Sequence, residues 1–372
     1  MYLIALLIVT IIDLFFIIQN RETIRPLNIV IIGVLLYLAF CVRNTPDINN
    51  YILRFQLDYQ GHDYGFIYVS HFFRDLGLNY YQFQFLYYYL AISLMVIGLI
   101  NITPHRLLVY ILYFFFPFFL NLVQLRNFMV FAILIFATGY CHKNSNQINS
   151  KIVWCLLILL AASQHIVALA YLPFAFCWNN KKVLNIIIIG SLIISVFLLI
   201  SPDEFVQVFT NLIEQIIDED RASTYSVRST HFGSVVMVVE AILMIVIAKY
   251  SAYFINETRF QINATDSNYI VNSTHFNFII NLLYYSSVFW PLYFLNGSFS
   301  RLMQNEFVLV YVFIAYVVRI LISISRNKKE SLNMNYYIVS LFSFVLLFIY
   351  NMKTLWFDLY DEVILPILND AF

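Results

Sequence analysis

The chain has 372 residues, 62% hydrophobic and only 11% charged, and its 21 basic and 21 acidic side chains cancel. A mean hydropathy of +0.78 excludes a soluble domain, because one core of this size could not hide so much apolar surface. The zero net charge carries no nucleic-acid signature, and the four cysteines (Cys41, Cys141, Cys155, Cys177) show neither a disulfide framework nor metal-ligand spacing.

Apolar runs close to the width of a bilayer core recur along the chain and predict an all-α, polytopic integral membrane protein with roughly 12 transmembrane helices in a single membrane domain, 1–372. The spans fall near 2–19, 27–42, 82–101, 107–121, 123–140, 152–164, 166–178, 183–200, 232–248, 276–295, 302–323 and 335–352. The first has no basic leader and no small-residue cleavage site, so it is expected to be retained. When the connecting loops are alternated, Lys143, Lys151, Lys181, Lys182, Lys249, Lys328 and Lys329 collect on one side and only Lys353 on the other. The positive-inside rule makes the lysine side cytoplasmic and puts both termini outside.

The first outer segment, 43–81, carries aromatics, charges and the breakers Gly61, Gly65 and Gly77. In it, Asp47 and Tyr51 stand one helical turn apart after Pro46, and Asp63 opens Asp63-Tyr64-Gly65-Phe66. Either acid has the chemistry of a general base for a hydroxyl, or is simply solvated. Tyr80, Tyr81, Tyr87, Tyr88 and Tyr89 then form an interfacial aromatic belt or a stacking surface for sugar rings.

Arg126 stands in Gln124-Leu125-Arg126-Asn127, where two apolar spans meet on the outer side. A membrane-embedded arginine faces a polar cavity or snorkels to the headgroups, and its planar fork can hold two phosphate oxygens. His165, in Ser163-Gln164-His165, is a second outer-side polar group: a proton acceptor, or a hydrogen-bonded structural imidazole.

The second outer segment, 201–231, starts on Pro202 with Asp203 and Glu204 suited to a first helical turn. It ends with Tyr225, Arg228 and His231 where a lid would re-enter the membrane. The longest inner loop, 249–275, holds sequons at Asn256, Asn263 and Asn272, which on the cytoplasmic side are not glycosylated. Glu240, Glu306 and Arg319 fall within spans, as does Asp13, and are functional candidates on that ground. Arg301 follows a flexible turn, Asn296-Gly297-Ser298, as a phosphate ligand or an interfacial anchor. The tail, 353–372, alternates acids with Trp356, Phe357, Leu359 and Tyr360 and is expected to lie along the membrane interface. Phosphate-cradling Gly-rich loops, His-Glu-x-x-His and Gly-x-Ser-x-Gly do not occur.

Thr45-Pro46-Asp47-Ile48-Asn49-Asn50-Tyr51, Asp63-Tyr64-Gly65-Phe66, Gln124-Leu125-Arg126-Asn127, Ser163-Gln164-His165 and Ser300-Arg301, in that order and on outer faces, resemble the EpsG family within the Wzy-like bacterial polysaccharide polymerases of O-antigen, capsule and exopolysaccharide. The resemblance implies a glycosyltransferase of the bacterial cytoplasmic membrane with its site facing the periplasm or exterior. It would move a growing glycan from polyprenyl diphosphate to a hydroxyl of another lipid-linked repeat.

In that reading Arg126 and Arg301 bind diphosphate, with Arg228, Tyr51, Gln124, Tyr225 and His231 around the substrate. His165 assists proton transfer or donor binding, Asp47 is the expected base, and Asp63 is a further catalytic carboxylate. No cofactor or metal is expected. The partners are the lipid-linked donor and acceptor, membrane lipid, and a chain-length regulator or flippase. Two rivals stay open: a ligase using the same donor, and a lipid-linked glycan transporter, against which the lack of an internal repeat weighs.

Overall fold

The computed structural model describes residues 26–57, 63–145, 147–200, 231–262, 273–295, 299–327 and 334–371. The expected first span, with Asp13, and most of the second outer segment, with Tyr225 and Arg228, lie outside them. Among the described residues there is no strand. Six stretches are long and apolar enough to cross a bilayer: Tyr80–Ile102, Lys181–Ile200, Gly233–Glu257, Phe276–Leu295, Ser300–Leu321 and Asn335–Asp358. Shorter apolar helices accompany them, and the whole is a multi-pass membrane protein.

In chain order the helices are α1 Pro26–Cys41, α2 Ile48–Gln56, α3 Tyr64–Asp75, α4 Tyr80–Ile102, α5 Arg106–Phe115, α6 Phe118–Val123, α7 Leu125–Cys141 and α8 Ile148–Gln164. A 3-10 turn, Ile166–Tyr171, leads to α9 Phe174–Cys177 and α10 Lys181–Ile200. After these come α11 His231–Ile262, α12 Ser273–Tyr285, α13 Trp290–Leu295, α14 Ser300–Gln304, α15 Phe307–Asn327, α16 Met334–Lys353 and α17 Leu365–Ala371.

Several expected spans are broken, for local reasons. The run 107–121 stops at Phe115, because Pro117 lacks an amide hydrogen and disfavours helix at Phe116, whose backbone is extended (φ −161°, ψ 132°). The run 166–178 is not one α-helix: it is the 3-10 turn followed, after Pro173, by the four residues of α9. The described part of the segment 43–81 is largely helical. Its α3 ends in a left-handed cap: Gly77 (φ 83°) donates to Arg74 at 2.8 Å and Leu78 to Phe73 at 3.1 Å. Two residues after Gly77, Asn79 and Gln82 satisfy each other's backbone amides (3.0 and 2.9 Å), so the start of α4 is fixed by a reciprocal box.

The most extensive helix pair is α4 with α7. Their backbones touch: a Cβ on Gly98 would lie 2.6 Å from the Ile135 carbonyl oxygen, and one on Gly139 would strike the Gly98 carbonyl. Only glycine at both positions allows this approach, and close backbone contact between apolar helices replaces the missing hydrophobic drive in a membrane.

At the centre, Phe307–Val317 of α15 is buried on every side, as an innermost helix must be. By contrast α10 exposes Ile186, Ile189, Ile193, Phe197 and Ile200, a face suited to lipid. The tail folds back: the Trp356 indole donates to the Phe115 carbonyl at 3.0 Å, and Asp370 accepts from the Arg43 and Asn44 amides, each at 2.8 Å.

Helix direction sorts the charges. Arg126 opens α7 and Gln164 closes α8, whereas Lys143 follows the far end of α7 and Lys151 starts α8. The polar cluster described next and these lysines therefore occupy opposite ends of the same helices.

Candidate functional site

Asp63 stands at the start of α3, where its carbonyl accepts the Ile67 amide at 3.1 Å and its side chain is left to turn inward. Asp63 is 3% exposed. Three donors converge on it. Arg126 Nη1 at the start of α7 pairs with Oδ2. His165 Nδ1, in the extended break between α8 and the 3-10 turn, lies 3.4 Å from Oδ1. The Ile166 amide donates to Oδ1 at 3.2 Å. A buried carboxylate needs this compensation, since removing a charge from water costs several kcal/mol unless it is paired and hydrogen-bonded.

Tyr51 of α2 lies under the other face of the cation, with the Arg126 guanidinium carbon 5.7 Å from its ring centre. Tyr51 in turn packs edge-on against Phe66, with ring centres 6.0 Å apart.

The α8 end that carries His165 is held by two further contacts. The Tyr87 hydroxyl of α4 donates to Gln164 Oε1 at 2.9 Å, and Gln164 Nε2 donates to Ser163 Oγ at 3.1 Å. Gly65 lets α3 come down onto this corner: a Cβ there would collide with Ser163 Oγ and lie 2.5 Å from Gln164 Nε2.

His165 lies outside the apolar helices on either side of it, yet is almost fully buried. Burial pushes its pKa down to about 4; Arg126 and Arg301 act in the same direction, and the Asp63 carboxylate opposes them. The imidazole is therefore neutral. With Nδ1–H directed at Asp63, its Nε2 is a hydrogen-bond and proton acceptor.

Arg301, in α14, is close enough for its charge to act on His165, and among the described residues no carboxylate pairs with it. Gln124 reaches the cluster indirectly, accepting from Asn127 Nδ2 at 3.3 Å.

The structure thus brings together Asp63, Arg126, His165 and Tyr51 from four separate segments, and the charge of Arg301 is felt at His165. Among the described residues no hydrogen bond or ion pair joins the Asp47 side chain to them, and it makes no capping hydrogen bond at the start of α2. His231 opens α11, and its side chain lies outside the described part. Among the described residues no group of three or more His, Cys, Asp or Glu side chains could hold a metal ion.

A family model described as EpsG family matches residues 2–361. The chain belongs to the EpsG family. No curated protein and no solved structure is significantly similar to it. EpsG proteins are Wzy-like polysaccharide polymerases, so this chain is in broad terms a membrane polysaccharide polymerase. The match to EpsG takes in every member of the cluster and stops short of α17.

Sequence reasoning gave no supporting role to the groups that hold this EpsG cluster in place: Gly65 and Asn127 figured only as motif positions and Tyr87 only in the aromatic belt, while Asn305, bonded to Asn127, and Tyr171, bonded to the Leu302 carbonyl, left no signal.

Proposed function

We propose that the chain lengthens a surface polysaccharide by moving the growing glycan from a polyprenyl diphosphate carrier to a sugar hydroxyl of another lipid-linked repeat, at the non-cytoplasmic face of the cytoplasmic membrane. The observation that carries this is one buried carboxylate, Asp63, shared by a guanidinium and a neutral imidazole.

In this reading Asp63 holds His165 with Nε2 toward the acceptor. His165 takes the hydroxyl proton as the acceptor oxygen bonds to the anomeric carbon. The anomeric carbon–oxygen bond to phosphate breaks, and its electron pair leaves with the diphosphate. Arg126 and Arg301 stabilise the charge that gathers there, and the proton on His165 passes to solvent. The leaving group is already activated, so no nucleotide is required. Asp47 is the alternative base.

The test is the lipid-linked glycan profile of cells carrying His165→Ala or Asp47→Asn in place of the wild-type chain. His165→Ala should leave single repeats, with chain growth slowed by about 10²–10⁴-fold. Long polymer at normal protein level would remove His165 from the mechanism, and loss confined to Asp47→Asn would move the base to Asp47. Polymer left on its carrier in a deletion strain would instead identify a ligase.

A further inference from the structure

Arg301 sits on a helix of only five residues, too short to hold its own position. Two buried contacts fasten it. Asn305 and Asn127 exchange reciprocal side-chain hydrogen bonds, 3.2 Å in each direction, and both are buried (1% and 3% exposed). The Tyr171 hydroxyl donates to the Leu302 carbonyl at 2.8 Å. Each fastener leads to a different member of the cluster. Asn127 follows Arg126 on α7, and Tyr171 closes the 3-10 turn that begins just after His165.

Apolar packing alone would tolerate sliding of α14 along α7. A matched amide pair does not, because either side chain left alone would be a buried amide without its partner.

We propose that the Asn127–Asn305 pair is a spacing gauge. These positioning residues hold the Arg126 and Arg301 guanidinium groups at the separation two linked phosphates require, so that the site selects diphosphate over a single phosphate. This rests on the reading of both arginines as the diphosphate clamp. The gauge touches no substrate; it acts through the two arginines. Tyr171 sets the same helix against the His165 segment, and with it the distance from the leaving group to the base.

The experiment uses the full-length protein in lipid nanodiscs and measures binding of inorganic diphosphate and of orthophosphate by titration calorimetry. The wild type should prefer diphosphate by roughly tenfold or more. Asn305→Ala, and the apolar double variant Asn127→Leu/Asn305→Leu, should lose most of that preference while binding orthophosphate within about twofold of the wild type. A merely structural role would weaken both anions alike.

Full preference in either folded variant would overturn the gauge. So would failure of both variants to fold, which would make the pair a folding element. Arg126→Ala and Arg301→Ala control for the underlying reading. If they leave diphosphate binding unchanged, the clamp itself is wrong; if they abolish binding while the asparagine variants keep the preference, only the gauge is wrong.

Discussion

Among the buried carboxylates of the described residues, two are satisfied in opposite ways. Asp63 meets a guanidinium, an imidazole and a backbone amide. Glu240, within α11, meets the Asn351 side-chain amide of α16 at 2.7 Å. The first arrangement gathers charge and proton-accepting atoms from separate segments at one end of the bundle. The second joins two helices through an acid and a neutral amide. Burial of an acid inside a membrane protein is therefore not enough to mark a reaction centre; the kind of donors around it separates a site from a strut.

The largest effect should come from removing the cation at the first carboxylate. Arg126→Ala leaves Asp63 buried and without its charge partner, a loss of about 3–5 kcal/mol. It should lower the amount of folded protein as well as abolish long-chain glycan. Adding Asp63→Asn should restore protein level on an immunoblot without restoring polymer. Recovery of polymer in the double variant would show that the pair is a strut like the Glu240 contact.

A middle-sized effect is expected at Gly65. Gly65→Ala forces a methyl into Ser163 and Gln164, an overpacking cost of about 1–3 kcal/mol. It should shorten the glycan by displacing His165, and Ser163→Gly should recover part of the length. The smallest effect belongs to the second carboxylate. Glu240→Gln keeps a carbonyl oxygen for Asn351 and should change the melting temperature and glycan length little, by under about 1 kcal/mol in stability. Loss of polymer with normal folding in Glu240→Gln would erase the contrast between the two acids.

The membrane class was legible because hydropathy reports burial in lipid directly. Arg126 and His165 stood out because a cation and an imidazole interrupt otherwise apolar runs, where chance placement is costly. What joins them was less visible. Ile166-Val167-Ala168-Leu169-Ala170-Tyr171 is apolar throughout, so its period does not distinguish a 3-10 turn from an α-helix. Asn127 and Asn305 are separated by 178 positions, and an amide carries no sign of its partner. Asp370 read as one acid of an amphipathic tail, although it secures the Arg43–Asn44 bend that precedes α2. Pairings between distant segments are products of the fold and leave no periodic trace along the chain.

The contact of Gly98 with Gly139 has a mechanical consequence. Carbonyl oxygens and α-carbons meet there without any side chain to yield, so the two helices cannot slip along each other and shift as a single strut. Arg126 and Tyr87 ride on that strut. Asn127 lies on the same strut and is bonded to Asn305, so the five-residue helix that carries Arg301 is tied to the element that carries Arg126.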